Sequence, residues 1–194
     1  MRLILTAAAA SLAIVTAACQ KPAETDDTAT NDMMMNDGLA GDMNMANDMA
    51  MAPMSAKDFA STIAASDMFQ IASGKLAQTM ATNEACKKFG VMLVTDHTKS
   101  SALLKSAAAA ASPVVSLPTS LPAELQAKLD ALKAAKGAAF DTLFLEQQKE
   151  GHRKTLAALK SYASGGDVAS LKTFASNAAP VVEAHLDMLN SMKM

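Results

Sequence analysis

The sequence predicts an all-α domain, a bundle of four long helices, and three observations predict it. Pro and Gly are scarce, 6 and 8 in 194 residues, and aromatic residues make up 4%. Sandwiches and barrels need frequent turn residues and β-branched or aromatic strands, so this composition argues against them. Beyond residue 55, Ala-rich stretches with Leu, Lys and Gln dominate, and these residues are strong helix formers. Their apolar positions recur every three or four residues, the repeat of one helix face.

The first predicted helix spans Ala56–Ala81, with Ser55 as N-cap and Phe59, Ile63, Gln70 and Ala77 on one face. Asn83 caps a second helix, Glu84–Ala111, whose stripe is Cys86, Phe89, Leu93, His97 and Leu104; Glu84 in its first turn suits the helix dipole. Pro113, Pro118 and Pro122 then break the chain before a short helix at Pro122–Ala134. The next long helix, Gly137–Ser164, carries Phe140, Phe144, Leu145, His152, Leu156 and Leu159. Gly165 and Gly166 stop it, and Asp167 is the expected cap of the last helix, Val168–Lys193. That helix has the stripe Leu171, Phe174, Ala178, Val181, His185, Met188 and Met192, with a kink expected near Ala175–Asn177 from Pro180.

The first pair and the last pair of long helices are joined tightly, so each pair is expected to be an antiparallel hairpin. About 25 residues separate the hairpins, enough to run the length of a bundle and set the third long helix parallel to the second. One long crossover between two hairpins, here with a short extra helix in it, is the ferritin-like topology.

Ahead of the domain lies a different kind of sequence. Arg2 is followed by the apolar run Leu3–Val15, too short to span about 30 Å of bilayer and suited to a signal peptide, residues 1–18. The run ends Thr16-Ala17-Ala18-Cys19 before the polar Gln20-Lys21-Pro22. This resembles the lipobox of bacterial lipoproteins, which implies cleavage before Cys19 and acylation of its thiol, although Thr16 stands where those proteins usually have Leu, Val or Ile. Two or three acyl chains would hold the protein at a membrane without a transmembrane helix. Gln20, where enteric inner-membrane lipoproteins carry Asp, implies by the same resemblance an outer-membrane protein facing the periplasm. The alternative is a soluble periplasmic protein cut after Ala18. Cys86 then remains as a single thiol in an oxidising compartment, most simply a buried small hydrophobe.

Residues 19–54 read as a disordered, acidic tether: residues 20–54 carry seven acidic groups against Lys21, a formal charge of −6, while residues 55–194 carry +3. A coil of this length spans about 30–35 Å r.m.s.. It holds eight methionines, Met33, Met34, Met35, Met43, Met45, Met49, Met51 and Met54. Thioethers are soft ligands for Cu(I), so the tether is either a weak Cu(I) site, a sacrificial sulfur pool, or a low-complexity spacer.

Three segments carry a resemblance for the domain: FGVMLVTDHTKSSALL (89–104), FDTLFLEQQKEGHRKTLAAL (140–159) and VVEAHLDML (181–189). They resemble the bacterial family known as domain of unknown function 4142, with SGKLAQTMATNEACKKFG (73–90) matching its first turn. The resemblance spans about 59–192 and implies a ferritin-like, exported, often lipidated protein; it implies no reaction. Family members commonly carry Glu at the place of Gln70 and often a second acid at Ala72, so candidate carboxylate ligands are missing from the first helix.

The three histidines of the chain, His97, His152 and His185, fall one to a helix on or beside the apolar stripe. Counting residues puts His97 and His152 at one level, with Gln70 near it and His185 about 7.5 Å away along the axis. A mid-bundle polar layer is expected. A di-iron site is not: Glu-x-x-His would put both ligands on one face, but Val94, Lys149 and Val182 stand three before the histidines. Asp96 and Gln70 are the expected outer partners of the imidazoles. Two readings follow, a hydrogen-bonded layer that fixes helix register, or a three-histidine site for Zn or Cu. No phosphate loop, Gly-x-Ser-x-Gly or Cys-x-x-Cys motif occurs, and the net charge of −2 argues against a nucleic-acid binder.

The functional expectation is a non-enzymatic, periplasm-facing lipoprotein with an envelope interaction or stress role. The alternative is a metal binder, through the tether for Cu(I) or through the histidines for Zn or Cu. Protein partners and oligomeric state are not legible. The lipobox reading has a direct check: cells expressing the full chain should incorporate labelled palmitate into it, and Cys19→Ser should abolish the label. Label retained by the variant would contradict acylation at Cys19.

Overall fold

The computed structural model describes residues 54–192. Its helices are α1 (Ala56–Met80), α2 (Glu84–Ala109), α3 (Ala123–Ala134), α4 (Ala138–Gly165) and α5 (Ala169–Ser191), and no strand occurs among the described residues. None of these helices is long and apolar enough to cross a membrane. The helix ends follow local chemistry. Ser55 accepts from the Asp58 amide and Asn83 from the Ala85 amide, so both expected caps form. Gly137 begins α4 at φ 56°, a left-handed conformation that glycine adopts without a Cβ penalty. One detail differs from expectation. Asp167 does not cap α5; its carboxylate accepts from the Tyr162 hydroxyl at 2.9 Å, and Val168 occupies the cap position. Pro180 lies inside α5, as expected.

The two tight pairs, α1–α2 and α4–α5, form the main helix contacts; α1 also packs on α4, and α2 on α5. Hydrogen bonds between distant segments fix directions. Asp141 in the first turn of α4 accepts from the Asn83 amide (2.9 Å), the Thr82 amide (3.1 Å) and the Thr82 hydroxyl. The start of α4 therefore sits at the α1–α2 turn. At the other end, Ser170 on α5 donates to the Ala107 carbonyl of α2 at 2.8 Å. Hence α4 runs parallel to α2, and the segment with α3 crosses the bundle end to end, as the residue count requires. The domain is an all-α bundle of two hairpins joined by one long crossover.

The apolar core has two parts. At the end holding the start of α1, Phe59, Ile63, Leu104, Leu159, Tyr162 and Leu171 pack together, with Phe59 stacked on Tyr162 at 4.0 Å. Met54 packs against this cluster, so the last methionine assigned to the tether belongs to the edge of the domain. At the α1–α2 turn end, Phe69, Cys86, Phe89, Leu93, Phe140 and Phe144 form the second cluster. The Cys86 thiol is fully buried there, and burial, helped by the Asp141 charge, pushes its pKa up to about 11. It behaves as a small hydrophobe. Between the two clusters lie Asp67, Gln70, Ser73, His97, Gln148, His152, Thr155 and His185, all buried. The expected polar layer exists.

Helices α1 and α2 approach closely where Gly74 faces Gly90. A Cβ added at Gly90 would lie 2.7 Å from the Gly74 carbonyl oxygen and 2.9 Å from the Ala77 Cβ. Ala is favoured over Gly by about 1 kcal/mol inside a helix, but overpacking against backbone costs about 1–3 kcal/mol. The clash should win. Gly90→Ala should lower unfolding free energy in urea by about 1–2 kcal/mol; an unchanged or raised midpoint would show that the helices can separate without cost.

Candidate metal centre

Helix geometry explains how three histidines from three helices meet. His97 lies on α2, His152 on α4 and His185 on α5, and their ring centroids are 5.3–5.7 Å apart. The expected axial offset of His185 does not keep it away. Side chains lean toward the N-terminus of their own helix, and α4 and α5 are antiparallel. His152, nearer the α4–α5 turn, leans away from that turn, and His185, farther from it, leans back toward it. The two rings close the gap, with His152 Nε2 at 3.2 Å from His185 Nδ1. One ring nitrogen from each of the three histidines lies within 4.8 Å of the others. Phe89 covers the layer on the side of the second core cluster, 6.0 Å from the His152 ring and 5.8 Å from that of His185.

Each imidazole has one nitrogen tied down on its outer side. His97 Nδ1 faces Asp67 Oδ1 at 2.7 Å, His152 Nδ1 faces the Gln148 carbonyl at 2.8 Å, and His185 Nε2 faces Asp96 Oδ2 at 2.9 Å. These three oxygens belong to two carboxylates and a carbonyl, which accept and do not donate. The outer nitrogens therefore carry the N–H, and the inner nitrogens, His97 Nε2, His152 Nε2 and His185 Nδ1, present lone pairs to one another. His97 Nε2 has no hydrogen-bond partner. The inner nitrogens of His152 and His185 face each other at 3.2 Å, a separation that either a shared proton or a bound cation would bridge.

Burial sets the electrostatics. It is the main cause that pulls the His152 pKa down to about 3, with the His97 and His185 rings adding to it and the Gln148 carbonyl opposing. Burial also lowers the pKa of His185, against the pull of Asp96. The chain thus holds both rings neutral, the form that ligates metals. Asp67 is 2% exposed; one oxygen accepts from His97 Nδ1 and the other from Ser101 Oγ at 3.3 Å. Two further buried acceptors in the layer, Gln70 Oε1 and Gln148 Oε1, have no protein partner.

Of the residues expected from sequence, His97, His152, His185 and Asp96 come together, with Asp96 an outer partner. Gln70 lies in the layer, 1% exposed, but makes no hydrogen bond to an imidazole. Its place beside His97 is taken by Asp67, which sequence reasoning missed. A signal for it existed: Asp67 continues the Phe59, Ile63, Gln70 stripe, and a carboxylate on an apolar face must find a partner. Of the hydroxyls next to His97 in sequence, Thr98 donates to the Val94 carbonyl and Ser101 to Asp67. Cys19 and Met33, Met34, Met35, Met43, Met45, Met49 and Met51 lie outside the described residues.

Fold and site together define a class, an all-helical bundle with a buried histidine layer at mid-height. The chain belongs to the family described as Domain of unknown function (DUF4142), which it matches over residues 40–192. No curated protein and no solved structure matches it significantly.

A pH dependence follows for the metal-free chain. Unfolded His152 takes up a proton near pH 6.5, while the folded ring stays neutral down to about pH 3. Between these values the unfolded state binds more protons, so stability falls as pH falls. From pH 6.5 to 5, His152 alone should cost about 1.6 kcal/mol in all, the slope steepening from about 0.7 toward about 1.4 kcal/mol per pH unit. Urea unfolding with chelator present should give that slope, and His152→Gln should flatten it. An unchanged slope in the variant would contradict a buried neutral ring.

Proposed function

We propose that this domain binds one divalent metal ion, Zn²⁺ in the first instance and Cu²⁺ as its competitor, between His97, His152 and His185. One observation carries the reading: three inner imidazole nitrogens converge within 4.8 Å, and each ring is oriented by an acceptor on its other side. Such outer acceptors are the usual companions of metal-bound imidazoles, fixing tautomer and raising basicity. The 3.2 Å between His152 Nε2 and His185 Nδ1 agrees with the ligand separation of about 3.3 Å expected for a tetrahedral ion with bonds of about 2.0–2.1 Å. Charge agrees as well. The outer acceptors Asp67 and Asp96 put two carboxylates beside the ion, which suits a 2+ charge better than Cu(I). Three protein ligands leave one coordination position, where such an ion supplies Lewis acidity to whatever occupies it.

The rest of the reading comes from the N-terminal sequence. The signal-like run and the lipobox at Cys19 support a lipid-anchored protein in the outer membrane facing the periplasm. In this account the metal-binding bundle hangs from the acidic tether. Copper bound by the tether methionines is a separate property that nothing in the bundle requires.

Full chain purified without chelator and offered Zn²⁺ should take up one equivalent by elemental analysis. His152→Ala should lose it while keeping the tether intact, and Asp67→Asn should weaken affinity by about 10–100-fold. At 100 times its Kd, zinc should raise the unfolding free energy by about 2.7 kcal/mol. Uptake unaffected by His152→Ala, or no uptake, would overturn the reading.

A further inference from the structure

Beside the histidine layer, α2 and α5 leave a cleft of about 400 Å³, within the range of small-molecule sites. Its cause is side-chain size. Ser100 and Ala107 on α2 meet Ser170 and Ala178 on α5, small residues where two packed helices would otherwise interlock. Apolar walls come from Leu103, Phe174 and Val181. The inner end is formed by His97, His185 and the outer acceptors Asp67 and Asp96. Leu103 is 51% and Val181 45% exposed, so the apolar wall reaches the surface.

The charged and titratable groups lining the cleft are Asp67, Asp96, His97, His185 and Lys99. Lys99 is the lysine of this lining, and like several other surface lysines it forms no ion pair among the described residues. With a 2+ ion on the histidines, the two carboxylates are balanced and Lys99 leaves one positive charge in the cleft. A single negative charge at the inner end with an apolar chain behind it satisfies every part of this lining.

We infer that the cleft takes an aliphatic monocarboxylate, its carboxylate toward the histidine-bound ion and Lys99, its chain along Leu103, Phe174 and Val181. The inference rests on the metal reading and names the ligand class of the remaining coordination position. The charge excess separates this ligand from an alcohol of the same length. The apolar walls separate it from acetate.

The test uses full chain loaded with Co²⁺, whose visible spectrum reports on the ion's ligands. Cobalt stoichiometry is measured first; butanoate, hexanoate, octanoate and octan-1-ol are then titrated. Octanoate should change the cobalt spectrum, and octanol should not. Affinity should rise with chain length, by up to about fourfold per CH₂. Lys99→Ala, an exposed position, should weaken octanoate roughly three- to fivefold. Ser100→Leu should fill the cleft and abolish octanoate binding while cobalt uptake stays one to one. A chain that takes up no cobalt overturns the metal site and this inference together. A chain that takes up cobalt but binds octanoate no better than butanoate or octanol, or equally well after either substitution, overturns this inference alone.

Discussion

A buried polar layer through the middle of an apolar bundle constrains everything else in this structure. Burying a polar group without a partner costs several kcal/mol, and Asp67, His97, His152 and His185 are all nearly inaccessible. The outer side of the layer meets that cost with three charge-assisted or carbonyl bonds. The inner side does not, because every tautomer that satisfies the outer bonds turns a lone pair inward. Under the reading proposed above, a divalent ion would supply the inner partner that these nitrogens lack. A layer of this kind also fixes register: sliding one helix by a turn would break its outer bond and bury a lone imidazole in one of the two apolar clusters that flank it.

The fold supplies the stiffness that such a layer needs. Asp141 clasps the α1–α2 turn to the start of α4, and Ser170 joins α5 to the end of α2. The glycine contact between Gly74 and Gly90 brings α1 close to α2, which carries His97 to Asp67. The opposite choice, small side chains without close approach, separates α2 from α5 and leaves the cleft. One bundle thus has a tight α1–α2 face and a looser α2–α5 face with a cleft beside the histidines.

Much of this was legible in the sequence. Helix spans fall within about two residues of expectation, since caps at Ser55 and Asn83 and the glycines at 137 and 165–166 punctuate the chain. The crossover direction followed from its length alone, and the histidine layer from three histidines on three stripes. The height of His185 did not follow, because residue counting gives backbone positions and ignores the lean of side chains. Asp67 did not follow either: its partner is on another helix, and only packing tells whether His97 turns to Asp67 or to Gln70. Asp167 looked like a cap but was claimed by the Tyr162 hydroxyl, a contact that depends on how the turn folds back.

The reading proposed for this chain, from a family described only by its unknown function, is a metal-binding bundle. The most direct measurement of its central claim is X-ray absorption at the zinc edge on the zinc-loaded full chain. The account expects nitrogen neighbours at about 2.0–2.1 Å with imidazole outer-shell scattering from three rings. Sulfur at about 2.3 Å, or an oxygen-only shell without imidazole features, would place the metal on thiol, thioether or carboxylate groups and contradict the histidine centre.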